Sequence, residues 1–197
     1  ALRPDDVRRV LVIDQTAGDN SVAMGAATAA TFEAMLAAAR SENPDATVYV
    51  KTHPEVTSGV KRGYLSHVQD DDRTVLLRDA INPLSLIEKM DRVYAVSSTM
   101  GFEALLASKP VSVFGLPWYA GWGATDDRQT CARRTRRRTV DELFAAAYFH
   151  YTTYLDPVSR TQGSIFDVID WLILQKRMAA RFGGRMICIG LRRWQAV

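Results

Sequence analysis

RVYAVSSTMGFEALLASKPVSVFGL, residues 92 to 116, decides the fold. After Arg92 the first run, to Val96, is apolar and reads as a buried strand, closed by Ser97, Ser98 and Thr99. TMGFEALLASK then reads as a helix that opens where the strand ends, and PVSVFGL as a second strand. Strand, helix and strand joined by short links form a crossover unit, the connection that parallel strands require.

The same alternation extends toward the N-terminus. VRRVLVIDQ, Val7 to Gln15, reads as a strand that leaves through the polar loop TAGDNS. An alanine-rich helix is expected from Val22 to Arg40, with Phe32, Met35 and Leu36 on its apolar face, until ENPD breaks it. Ala46 to Val50 is a strand that runs into Lys51, Thr52, His53 and Pro54. Thr74 to Asp79 is another, and NPLSLIEKM is a helix with Asn82 as N-cap and Pro83 at its first position. Near-continuously apolar strands alternating with helices predict an α/β fold: a Rossmann-like parallel sheet with helices on both faces. Beyond it lie a helix from Val140 to Tyr154, the breaker DPVSRTQG and an amphipathic helix from Ser164 to Arg181. The tail GGRMICIGLRRW reads as an edge strand or as the first strand of a following domain.

Composition sets outer bounds. The chain has 197 residues, 47% hydrophobic and 24% charged, which is ordinary for a globular protein and enough for one well-buried domain. Its charge of +3 is unevenly spread, because RRTRRR, Arg133 to Arg138, holds five of the 25 cations. Cys131 and Cys188 lie far apart without ligand spacing, which argues against a disulfide framework or a zinc site and fits a reducing compartment. No stretch reads as a membrane span or a secretory signal. The chain starts without methionine and enters a strand almost at once, so it is expected to be a piece of a longer protein.

In a doubly wound sheet the loops leaving the strand carboxyl ends face one crevice. The first loop holds Gln15, Thr16, Gly18 and Asp19; the second Lys51 and His53. The third holds Ser97, Ser98 and Thr99, with Glu103 one turn into the helix, and the fourth is GLPWYAGWGATDDR, Gly115 to Arg128. Free N–H groups and the positive end of a helix after Ser97 and Ser98 favour an anion, commonly phosphate. Ser and Thr are also preferred helix caps, which accounts for the same residues. Asp19 reads equally as a solvated loop carboxylate, and His67 and His150 as structural. Asp126 and Asp127 fit a turn with Arg128. Trp118, Tyr119 and Trp122, interleaved with glycines, suit a pocket wall better than a solvent loop. The three histidines form no cluster with acids, so no metal is expected. Neither G-x-G-x-x-G after the first strand nor G-x-x-x-x-G-K-[ST] occurs, which disfavours nicotinamide and P-loop chemistry.

DQTAGD, VKTHPEV, SSTMGFEALL and FGLPWYAGWGATDDR together resemble the KpsC-type retaining β-Kdo transferases of the capsule polysaccharide biosynthesis group, over roughly Arg9 to Asp156. The resemblance implies one half of a GT-B glycosyltransferase. Residues 1–181 would be the CMP-sugar-binding Rossmann-like domain, and 182–197 a linker or the start of a following module. The implied reaction transfers 3-deoxy-D-manno-oct-2-ulosonic acid (Kdo) from CMP-β-Kdo to a lipid-linked Kdo acceptor in capsule linker synthesis, with retention. The implied roles are Asp19 as nucleophile and Gln15 orienting substrate. His53, Ser97 and Ser98 would hold the leaving phosphate, with Lys51 and Thr99 beside them. Glu103 would take ribose or cytosine, and Trp118, Tyr119 and Trp122 would floor the pocket. No cofactor or metal is expected beyond the sugar-nucleotide donor, and the acceptor-binding domain is expected to be missing. A cytoplasmic protein peripheral to the inner membrane is implied, held there by Arg133, Arg134, Arg136, Arg137 and Arg138. A nucleic-acid partner is not expected, because no aromatic stacking platform accompanies the arginines. The rival reading is a non-catalytic sugar-nucleotide-binding or capsule-export module, which would not need Asp19.

Overall fold

The structure, a computed structural model, describes residues 2–4, 8–79 and 81–181. The chain divides into two compact units, one to Val140 and one from Asp141 onward. The tail from residue 182, including Cys188 and the expected edge strand, lies outside the described residues, as does Val7.

The first unit is a six-stranded sheet in the order β3-β2-β1-β4-β5-β6, parallel at every pairing. Its strands are β1 (Arg9–Ile13), β2 (Thr47–Lys51), β3 (Thr74–Leu77), β4 (Arg92–Ala95), β5 (Val111–Val113) and β6 (Asp126–Asp127). The expected α/β, Rossmann-like architecture is therefore present. β1, β2, β4 and β5 are buried almost throughout, which is why they read as unbroken apolar runs and not as alternating ones. The order reverses between β1 and β4, and that switch point is where an open α/β sheet takes its ligands.

Two helical segments differ from the sequence expectation. The single helix over 22–40 is two, α1 (Asn20–Met24) and α2 (Ala29–Ser41). Between them Ala26 has φ +53°, and Thr28 starts α2 with a reciprocal capping box to Thr31. The break frees the Gly25 carbonyl to accept from Leu116 N–H at 2.7 Å, tying the first loop to the fourth. Farther on, α3 (Pro54–Thr57), α4 (Pro83–Ile87) and α5 (Thr99–Leu106) follow β2, β3 and β4. Asn82 caps α4 as expected, accepting from Ser85 N–H. α2 supplies Phe32, Met35, Leu36 and Ala39 to a core shared with Val10, Val12, Val48 and Val50.

Asp126 and Asp127 are not a turn with Arg128 but the edge strand β6, in register with Ser112 and Val113. Asp126 accepts from Arg92 at 2.7 Å, Ser112 at 2.9 Å and Arg128 at 2.9 Å. Those three donors let a pair of aspartates sit in a strand position that propensity disfavours.

In the second unit, α6 (Val140–Ala145) continues as a π-helical stretch, Ala146–Tyr151, and ends there. The breaker that follows carries a small antiparallel ladder, β7 (Tyr154–Leu155) with β8 (Gln162–Gly163), before α7 (Ile165–Arg181). No described helix is long and apolar enough to cross a membrane.

Candidate active site

A cleft of about 760 Å³ opens at the carboxyl ends of β1, β2 and β4. It lies over the switch point, and hydrogen bonds join its two sides. The Gln15 carboxamide, buried at the end of β1, reaches across to the end of β4: its Nε2 donates to Ser97 Oγ at 3.0 Å, and Ser97 N–H donates back to Oε1 at 3.0 Å. The same amide nitrogen lies 3.2 Å from Asp19 Oδ2 and 3.3 Å from Ser21 Oγ. Both ends of the Gln15 amide are on protein partners, which ties Asp19 to Ser97 across the cleft.

Asp19 caps α1, its Oδ1 accepting from Ser21 N–H at 2.8 Å. Partial burial pushes its carboxyl up, but the Ser21 N–H and hydroxyl, the Gln15 amide and nearby His53 outweigh that and hold it below the ordinary aspartate value of 3.8. A carboxylate so held is ionised at neutral pH, as a nucleophile must be. Its cap and its place in the cleft are compatible, because the cap uses one oxygen.

The VKTHPEV stretch is a strand exit built to present groups. Pro54 sits at the first position of α3, and His53 is the cap: its Nδ1 accepts from Glu55 N–H at 3.2 Å. In the neutral ring the hydrogen must then be on Nε2, leaving that nitrogen a donor. Lys51 is only 7% exposed and donates to the carbonyls of Thr52 at 3.3 Å and Asp79 at 3.1 Å. Burial lowers its pKa and Asp79 partly restores it. Ser98 caps α5 by accepting from Met100 N–H at 3.3 Å. Ser98 and His53 both cap a helix and line the cleft.

Asp19, Gln15, Lys51, His53, Ser97, Ser98, Thr99 and Trp118 all line this one cleft. Glu103, Tyr119 and Trp122 do not. Glu103 is part-buried along α5, where desolvation raises its pKa. Tyr119 is fully buried, with its hydroxyl donating to the Ser98 carbonyl at 2.6 Å, so it supports the third loop from below and cannot floor the pocket. Trp122 donates from Nε1 to the Trp118 carbonyl at 2.9 Å and so braces the tryptophan that does line it.

Asp14 escaped the sequence reading. It is 4% exposed, lines the cleft and accepts from Gln15 N–H at 2.9 Å and Leu65 N–H at 3.1 Å. Burial raises its pKa despite those bonds and nearby His53. Gly63 is required beside it, because a β-carbon there would overlap the Asp14 carboxylate. The available signal was a charge closing the apolar run VLVID. Among the described residues no group of three His, Cys, Asp or Glu side chains could hold a metal ion.

Fold and cleft together define a Rossmann-like ligand-binding unit with an anion-favouring helix start at its switch point. The model of the capsule polysaccharide biosynthesis proteins matches residues 2–157, and the chain belongs to that family. It is 48% identical to the capsule polysaccharide modification protein LipA of Neisseria meningitidis serogroup B, over 98% of this chain and 28% of LipA. It is 39% identical to the lipopolysaccharide-processing protein LpsZ of Rhizobium meliloti, over 91% of this chain and 41% of that protein. The chain thus spans less than half the length of either relative. Among solved structures, the β-Kdo 2,4 transferase of Thermosulfurimonas dismutans KpsC matches with a TM-score of 0.82 and 50% identity, over 87% of this chain and 53% of that one. The β-Kdo 2,7 transferase of the same KpsC matches at 0.68 and 29%, over 89% of this chain and 57% of that one. The expected KpsC-type resemblance holds.

Proposed function

We propose that this chain is the donor half of a GT-B Kdo transferase, which moves β-Kdo from CMP-β-Kdo to a lipid-linked Kdo acceptor in capsule linker synthesis, with retention. The observation that carries the proposal is the bridge of Gln15 to Asp19 and Ser97 across the switch point, with His53 in the same cleft. The names of the two KpsC relatives give the sugar its identity.

The chemistry follows from the residues. Departure of CMP from the anomeric carbon breaks the C–O bond and leaves charge on phosphate. On this reading His53 Nε2–H, the hydroxyls of Ser97 and Ser98 and the positive end of α5 take up that charge. Asp19 attacks the anomeric carbon from the opposite face, giving a glycosyl ester. An acceptor hydroxyl then displaces Asp19 as a carboxylate and releases its proton to solvent, and two inversions amount to retention. The acceptor-binding half is proposed to lie in the part of the longer protein that this chain does not span.

Mass spectrometry of the complete module with CMP-Kdo checks the assignment. A Kdo adduct on the peptide carrying Asp19, absent from Asp19→Asn, is expected. An adduct elsewhere, or turnover by Asp19→Asn near the wild-type rate, removes Asp19 as nucleophile.

We also propose contact with the anionic cytoplasmic leaflet through Arg133, Arg136 and Arg137, which are exposed. Each basic residue near such a surface contributes roughly 1 kcal/mol, screened by salt. Co-sedimentation with phosphatidylglycerol vesicles should be strong at low salt, fade as salt rises, and be lost when the three become Gln. Equal partitioning of wild type and variant contradicts it.

A further inference from the structure

Arg134 behaves unlike the rest of its arginine run. Its Nη1 donates to the carbonyls of Pro117 and Ala120, each at 2.6 Å, and its guanidinium lies 5.7 Å from the centre of the Trp122 ring. Its own N–H donates to the Cys131 carbonyl at 2.9 Å. Gly121, at φ +78°, leaves the room it needs: a β-carbon there would sit 3.1 Å from Arg134 Cδ. One terminal nitrogen on two carbonyls and a cationic plane against an aromatic ring are contacts that an apolar side chain of similar length does not reproduce.

The turn held in this way is the one that shapes the cleft. Trp118 lines it, with its ring 4.4 Å from that of Phe102 on α5. Tyr119, next in sequence, donates to the carbonyl of Ser98, the cap of α5. A continuous series of contacts therefore runs from the Arg134 guanidinium to the loop that presents Ser97 and Ser98.

We infer that Arg134 is a positioning residue of the cleft: by locking the Pro117–Trp122 turn it fixes both Trp118 and the Ser97–Ser98 loop. The ligand part of this inference rests on reading the cleft as a nucleotide site; the mechanical part does not.

Hydrogen exchange and CMP calorimetry on the 197-residue chain test the two parts separately. Arg134→Met should speed exchange on the order of tenfold in residues 97–101 and 117–122 while leaving β1 and β2 unchanged. CMP binding should weaken by about tenfold, because a preorganised wall is lost. Lys89→Met, an exposed cation away from the turn, should change neither. If Arg134→Met fails to fold, Arg134→Gln, which stays polar but loses the cation and the reach to both carbonyls, serves for the same comparison. Unchanged exchange at 97–101, or equal acceleration throughout the core, overturns the inference. A wild-type chain that binds no CMP overturns the nucleotide reading instead, and the exchange pattern still decides the role of Arg134.

Discussion

At the scale of single residues the proposed chemistry turns on Asp19. Its depressed pKa has a direct consequence for pH. A carboxyl held below 3.8 in the folded chain stays ionised from there upward, so its stabilising contribution is present above that value and is lost as pH falls through the folded pKa. Transfer by the complete module should therefore show no acid limb from Asp19 between pH 5 and 8. A pH–rate profile checks this, and an acid limb in that window assigned to Asp19 would contradict it. Asp19→Asn should also fold normally, since Asn caps helices as well as Asp does. That Asp19, His53 and Ser97 meet in one cleft was legible in the sequence because each lies in a loop leaving the carboxyl end of a strand. Asp14 was not, because it looks like the last residue of its strand. Its partners, the N–H groups of Leu65 and Gln15, belong to the backbone, and backbone donors leave no mark in a sequence.

The element that governs the site is α5 with the turn beneath it. Gly101 in its first turn faces the buried Tyr119 hydroxyl so closely that a β-carbon would overlap it. Alanine in a helix is ordinarily favoured over glycine by about 1 kcal/mol. Here the clash should reverse the sign, since overpacking costs about 1–3 kcal/mol. Gly101→Ala should lower the melting temperature, and adding Tyr119→Phe should recover part of it by removing the offending oxygen. Tyr119→Phe alone should destabilise, because the Ser98 carbonyl loses one of its donors and keeps the Gly101 N–H. A double-mutant cycle measures the coupling, and strictly additive changes would show that the two positions are independent. The sequence marked Trp118, Tyr119 and Trp122 as unusual but could not sort them. Separating the ring that lines the cleft from the rings that brace it depends on Arg134, Gly121 and Ser98, which are distant in sequence or act through backbone atoms. The break between α1 and α2 was hidden in the same way. Alanine continues a helix on propensity, and only the left-handed Ala26 and the Thr28 cap show where this one stops.

For the whole molecule, parallel strands under two helical layers were legible because burial on both faces leaves apolar runs. The edge strand β6 was not, since two aspartates enter a sheet only with Arg92, Ser112 and Arg128 to receive them. The central claim is that the switch-point cleft is a CMP site formed by this chain alone, while transfer needs an acceptor-binding half of the kind the longer relatives have room for. Calorimetry of the 197-residue chain against CMP, UMP and AMP tests it most directly, with His53→Ala as the paired variant. The account predicts one CMP site, weaker binding of the other two nucleotides, and a marked loss of CMP affinity in His53→Ala, which removes both the Nε2 donor and the cap of α3. No binding of CMP, or binding that favours UMP or AMP and ignores His53, would contradict it.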